Sequence, residues 1–499
     1  MGRLTVGSPS RPGGRAGSLF RGLGVATAAM LCACSGVRAP IPPAAAVSPP
    51  AAWRSDAQMQ GEPSATWWRS FGDPDLARVV EQALVNNLDI AIAASRIEES
   101  RAGLASAQAQ RLPDLDGEVG RVRQRDVNPA YGVAELQTAT ASALSLKFDT
   151  DLFGRLRASS AAARASLLST RAAHAEIRLA TAALAARDYL SLRALDSRLE
   201  TLRQTLDARA QSLRIVQRRV ATGYSSQLDL AQAEVDYRAA EALIPATELS
   251  ISRTEDALSI LLGENPHTIT RRRGAIGVDA LQVPATLPST LLRRRPDLVA
   301  AEDQLVAADR RLDASRAAFI PDLQLSGSFG QVSSTLIAHN PIDIFSVGAS
   351  ILAPIFDSGR LKAQQTAVAA QRDQAAYAYR RATLKAFAEV EDALAATARI
   401  REELAALESE RMSLRHSLVI ATTRYRAGYS PFLDQLDAQR GLLSVELALA
   451  QARADLSIAY VTLYQALGGG WDVAALHDGP GAPAGRASND GGSSTAFID

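Results

Sequence analysis

The sequence predicts a mainly α-helical chain with a β-barrel contribution, built from two copies of one unit. Three observations predict it. Apolar residues recur at spacings of three and four over very long segments, four segments alternate apolar and polar residues, and one order of motifs occurs twice. Composition agrees. Aromatics are 5% of 499 residues while apolar residues reach 47%; Ala and Leu fill the gap, which suits long helices packed at close range. Lys plus Arg number 54 and Asp plus Glu 53, a net charge of +1, which excludes a protein that mainly neutralises nucleic-acid phosphate. Two cysteines exclude a disulfide-stapled module. The five histidines show no metal-ligand spacing, so no metal and no cofactor is implied. No apolar helical stretch is long enough to span a bilayer: Leu179 to Leu195 is interrupted by Arg187, Asp188 and Arg193. A membrane crossing must use strands.

The N-terminus reads as an address. Arg3, Arg11, Arg15 and Arg21 precede a short apolar run, Leu23 to Leu31, followed by Leu31-Cys32-Ala33-Cys34-Ser35. This resembles a bacterial lipoprotein signal over residues 1–33, with Cys34 the acylated first residue of the mature chain. Cys32 fits less well, because bulky Leu31 precedes it. Ser35 in place of Asp favours the outer membrane on the same resemblance. A plain signal peptide with two incidental cysteines is the alternative. Residues 34–60 are Ala/Pro-rich and predict an extended tether. The Gly/Ala/Ser-rich tail, 476–499, predicts disorder.

The duplication sets the rest. Gly223-Tyr224-Ser225 matches Gly428-Tyr429-Ser430, Leu228-Asp229 matches Leu433-Asp434, and Leu262-Gly263 matches Leu467-Gly468, all at a shift of 205. Gly154-Arg155-Leu156 pairs with Gly359-Arg360-Leu361 at the same shift. Upstream the shift is 208, pairing Asp89 with Asp297 and Leu112-Pro113-Asp114-Leu115 with Ile320-Pro321-Asp322-Leu323. The units run 61–263 and 291–475, with 264–290 between them. Each reads helix, strand pair, long helix, turn, long helix.

Both units carry a heptad. Leu192, Leu195, Leu199, Leu202, Leu206, Leu213, Val216 and Val220 hold one phase, with Arg209 at a missing beat; Leu404, Leu407, Leu414, Leu418, Ala421 and Tyr425 repeat it, with Arg411 at a missing beat. Leu433, Leu436, Leu443 and Leu447 resume after the second turn, with Arg440 intervening. A 3.5-residue period supercoils helices around one another. The first helix, from about Leu156 to Ala221, would be about 100 Å long. Pro245 predicts a kink or break in the returning helix. Gly223 and Gly428 sit where a long helix must reverse.

The strands alternate. Leu144, Leu146 and Phe148 share a face, as do Leu323, Leu325, Gly327 and Phe329, and Phe345, Val347, Ala349 and Ile351; Leu115, Gly117 and Val119 form the weakest set. A half-buried soluble sheet would alternate alike. Four strands cannot close a membrane barrel, which needs at least eight, so spanning requires several chains in one barrel.

With these residues in view, the chain resembles a TolC-like outer-membrane efflux protein of the lipoprotein (NodT-type) branch. The resemblance covers residues 60–470 and rests on Trp68 to Asp75, Asn87-Leu88-Asp89, Arg294-Arg295-Pro296-Asp297-Leu298, the two turns and the repeat order. It implies a homotrimeric α/β barrel duct in outer-membrane lipid with twelve strands and a periplasmic helical extension. It implies a periplasmic adaptor and an inner-membrane pump, often of the resistance-nodulation-division type, that supplies the energy. It places the periplasmic gate at Asp434, Asp437, Asp229 and Tyr425, and adaptor contacts at Gly223, Tyr224, Ser225, Gly428, Tyr429 and Ser430. The family often has a basic residue where Ser430 stands, so Arg424 or Arg426 would have to supply any arginine latch. Without the resemblance, the aspartates read as ordinary acids at a helix start.

No P-loop, HExxH or GxSxG motif supports an enzyme. A non-channel periplasmic coiled-coil scaffold would leave both strand pairs unexplained. A type I protein-secretion duct stays within the duct class and differs only in cargo.

Overall fold

The computed structural model describes residues 42–54, 64–127, 132, 134–272, 287–336, 338–339 and 341–469. It divides into two units, 1–46 and 47–499. The described part of the first holds one 3₁₀ turn, Pro43–Ala45.

A 3₁₀ turn, Trp67–Phe71, leads into α1 (Pro74–Asn86) and α2 (Leu88–Ala109). Then come β1 (Asp114–Val127), β2 (Ala134–Asp149), α3 (Arg155–Ala221) and α4 (Gln227–Leu261). The second copy is α5 (Pro288–Arg294), α6 (Pro296–Ala317), β3 (Asp322–Ser334), β4 (Ile342–Leu352), α7 (Arg360–Arg426) and α8 (Phe432–Ala466). Counterparts have equal lengths: α3 and α7 have 67 residues each, α4 and α8 have 35, α2 and α6 have 22. The change of shift lies in the hairpins. Asp114 pairs with Lys147, 33 residues on, whereas Asp322 pairs with Leu352, 30 residues on. The second hairpin is therefore three residues shorter.

The helices start and stop for local reasons. Asp73 caps α1 by accepting from the Asp75 and Leu76 amides at 2.9 and 3.3 Å. Asn87 caps α2 and also donates to the Leu261 carbonyl at the end of α4. Its counterpart Arg295 donates to the Ala466 carbonyl at the end of α8. One residue in each copy thus ties a helix start to an orphan carbonyl of the returning helix. The glycines that follow are obligatory. Gly263 and Gly468 have φ of +71° and +72°, and a Cβ would meet the Asn86 or Arg294 carbonyl oxygen at 2.7 Å. Basic Arg295 is buried against Asp297 and Glu389.

α3 packs against α1, α2, α4, α6 and α8. The main core gathers α1, α5 and the start of α6 with the ends of α4 and α8 against the middle of α3 and α7. Trp67 stacks on Tyr464 with centroids 5.6 Å apart, among Trp68, Phe71, Tyr189 and Tyr460. Inside this core Asp73 accepts from Arg193 at 2.6 Å and from the Tyr189 hydroxyl at 3.1 Å. Burial pushes that hydroxyl up to about 12, so it stays a donor.

Three expectations are corrected. The break allowed for at Pro245 does not occur, since α4 runs unbroken through it; the proline is exposed, so the carbonyl it leaves unbonded can meet water. The α8 seam begins at buried Phe432, not Leu433, which is exposed. Residues 47–54 are not a bare tether. Trp53 meets Phe387 edge-on at 6.1 Å, and the Arg54 amide donates to Glu391.

Candidate functional site

Two regions carry the predicted function: the reversals between long helices and the strand sheet. Both reversals close alike. The Tyr224 amide donates to the Arg219 carbonyl and the Gly223 amide to Val220; Tyr429 and Gly428 repeat this with Arg424 and Tyr425. Such a pair of bonds needs a left-handed residue, and Gly223 and Gly428 have φ of +77° and +78°. Tyr224 and Tyr429 are left 80% and 79% exposed, with exposed Leu228 and Leu433 beside them.

The next residues differ. Ser226 accepts from the Asp229 amide, and Asp229 accepts from the Ser226 amide, a closed capping box. Asp229 is thereby bound within its own turn and does not meet Tyr425. In the second copy Pro431 stands at the Ser226 position, with neither hydroxyl nor amide hydrogen. Asp434 has no such partner. Asp434 and Asp437 are both exposed, and neither forms an ion pair among the described residues.

Tyr425 is buried. Its ring packs on Phe432 at 5.3 Å within a cluster of Val216, Ala233, Phe432 and Leu436. The Arg219 guanidinium lies over it, 4.7 Å from the centroid, and donates to the Tyr425 carbonyl at 3.2 Å. The Tyr425 hydroxyl lies 3.2 Å from the Ser225 hydroxyl. The arginine that covers the Tyr425 ring is therefore Arg219, from the other repeat. Ser430 has a buried hydroxyl with no hydrogen-bond partner among the described residues.

Further along the same bundle, buried Asp236 on α4 receives two arginines. Arg440 of α8 donates to it at 3.0 Å. Arg209 of α3 holds its Nε 2.9 Å away in ion-pair contact and donates through Nη1 to the Asp236 carbonyl. Burial lowers the Arg209 pKa, and Asp236 opposes that shift. Gln435 adds a bond to Ser212 at 3.1 Å. Sequence reasoning passed over Arg219, Asp236 and Ser212; the arginines at missing heptad beats were the available signal.

The sheet is antiparallel in the order β1-β2-β3-β4. Its register puts the predicted apolar sets on one face: Leu115↔Leu146, Gly117↔Leu144, Leu144↔Phe329, Phe148↔Leu325, Phe329↔Phe345 and Gly327↔Val347. The opposite face carries Asp116, Ser145, Ser328 and Ser346 in one row. β1, the weakest expectation, is 14 residues long. β1 and β4 are the two edges, and neither has a second strand neighbour among the described residues. Cys34 lies outside the described residues.

Comparison with known proteins agrees with this arrangement. The family model "Outer membrane efflux protein" matches residues 79–264 and 287–469. The pyoverdine export outer membrane protein OpmQ of Pseudomonas putida is 32% identical over 453 residues, covering 89% of this chain and 96% of its own. The toluene efflux pump outer membrane protein TtgI of Pseudomonas putida is 34% identical over 409 residues, covering 81% and 87%. The solved outer-membrane channel OprN superposes with a TM-score of 0.81 at 27% identity, covering 87% of this chain and 98% of that one.

Proposed function

The chain belongs to the outer membrane efflux protein family, and from that premise we propose that three copies form one duct whose periplasmic mouth is closed by the α7–α8 turn. It is an outer-membrane efflux channel, a passive conduit rather than an enzyme, with the fold of the trimeric α/β-barrel channels. The observation that carries the reading is the pair of free edges, β1 and β4, on a sheet with one apolar face. A bare edge in hydrocarbon costs several kcal/mol per unpaired group. Four strands are too few to close, whereas twelve from three chains suffice.

In this duct the apolar face meets lipid and the polar face lines the water. Exposed Tyr224 and Tyr429, with Ser225, Ser430 and the turn glycines, offer the surface for a periplasmic adaptor. An inner-membrane pump of the resistance-nodulation-division type supplies the energy, and the cargo is a small molecule, as the relatives' names of pyoverdine and toluene suggest. Acylated Cys34 anchors the mature chain. At the mouth, Asp434 and Asp437 become two rings of three carboxylates, which repel one another and attract cations. Tyr425 holds α7 to the α3–α4 turn through Ser225 and Arg219, while Asp229 serves its own helix.

Replacing both aspartates, Asp434→Ala with Asp437→Ala, should raise single-channel conductance in planar bilayers and weaken block by multivalent cations. Traces unchanged on both counts would return these residues to an ordinary helix-start role.

A further inference from the structure

β1 changes character halfway along one face. Leu115, Gly117 and Val119 are followed, at the same period of two, by Arg121, Arg123 and Arg125. All three arginines are exposed. Their cross-strand neighbours on β2 are Thr140, Thr138 and Leu136. They therefore continue the face that meets lipid, just past its apolar band. The direction is fixed by the chain. β1 leaves α2 at Asp114 and runs away from the helices, so the arginines stand at the distal membrane surface.

The rest of that face offers them little counter-charge. Among the described residues its one carboxylate is Asp343, on β4, and it already accepts from Gln331 at 2.9 Å. The hairpin acids Asp114, Asp116, Glu118, Glu135 and Asp149 fall on the opposite face by the same register. No ion pair of Arg121, Arg123 or Arg125 occurs among the described residues. Three unpaired guanidiniums about 7 Å apart along a strand, bordering an apolar band, match a layer of phosphate-bearing headgroups. Guanidinium forks bind phosphate bidentately, and basic residues at a membrane surface attract anionic lipid.

We propose that Arg121, Arg123 and Arg125 bind the phosphorylated headgroups of the distal leaflet and fix the barrel's depth there. The inference rests on the outer-membrane reading. The test uses the full-length purified oligomer in detergent, titrated with fluorescent diphosphorylated lipid A, with phosphate-free lipid A, and with inorganic phosphate as competitor. The wild type should bind the phosphorylated lipid in a salt-sensitive way, and R121Q/R123Q/R125Q should weaken that binding roughly tenfold or more. Phosphate-free lipid should bind both proteins equally and weakly. A second variant, R123Q/R125Q, guards against loss of assembly, because rows Arg123↔Thr138 and Arg125↔Leu136 lie beyond the last β2–β3 pair, Ala139↔Ser334. It should keep the oligomer and lose most of the binding. Equal affinity of variants and wild type overturns the proposal, as does displacement by inorganic phosphate at the lipid's own concentration. Conductance retained by the variants leaves the channel reading intact in either case.

Discussion

The aromatic body around Trp67 and the turn end around Tyr425 are built on different principles. In the body, Trp67, Tyr189, Tyr460 and Leu298 are almost fully buried, and four helix termini converge on them. Stacked rings, two glycine-dependent close approaches and the Asp73–Arg193 pair all specify the same arrangement. At the turns the cluster is five buried apolar residues with half-buried Leu213, Val220 and Leu230 against them, and separate polar contacts add to it between α7–α8 and α3–α4. The body is over-determined and the turn end is not. The proposed gate at the turn end needs that division, because elements that move are drawn from the less stable parts of a fold.

The largest effect that tests this division lies in the body. Trp67→Ala removes a stacked, fully buried ring and should cost about 3–5 kcal/mol. Thermal melting followed by circular dichroism should fall clearly, while conductance of the molecules that assemble stays normal. A melt unchanged from wild type would mean that the long coils, not the body, set stability.

Much of this division was legible in the sequence. The Asn87 and Arg295 motifs, the paired glycines and the heptads located both regions, because each reports a local backbone need that repeats at a fixed shift. The alternation of Leu144, Leu146 and Phe148 fixed the apolar face because a strand has only two sides. Cross-helix pairing was not legible. That Arg209 and Arg440 meet at Asp236 depends on the crossing of three helices, which no spacing within one helix encodes. The fate of Asp229 was closer to hand. Ser226 against Pro431 already distinguishes a capped acid from an uncapped one, but the likeness of the two turns masked it.

A smaller effect should follow at Asp236. Asp236→Asn keeps the shape and removes the charge that holds two arginines, and it should cost about 1–3 kcal/mol. The second repeat supplies its own remedy. There the matching positions are Leu414 and Gly441, which meet in apolar contact, with the Cβ that Gly441 lacks falling 3.0 Å from Leu414. Installing that pair as R209L/D236G should recover part of the loss, since a buried ion pair exchanged for apolar packing is often neutral or better. Proteolysis of the turn end reads this directly. If D236N is as resistant as wild type, the three-helix junction does not restrain the turns.

The smallest energetic change should have the clearest functional readout. Tyr425→Phe keeps the ring on Phe432 and the Arg219 guanidinium above it, and removes only the hydroxyl that meets Ser225. One neutral hydrogen bond contributes about 1 kcal/mol, too little to move the melt of a body secured elsewhere. At the turn the same amount is a large share of what holds α7 to α3–α4, so the open fraction in planar bilayers should rise about fivefold. Ser225→Ala should match it, and the double variant should add nothing, because both remove one bond. Additive effects would assign the two hydroxyls to separate links, and the turn end would then be held more redundantly than its five-residue cluster suggests.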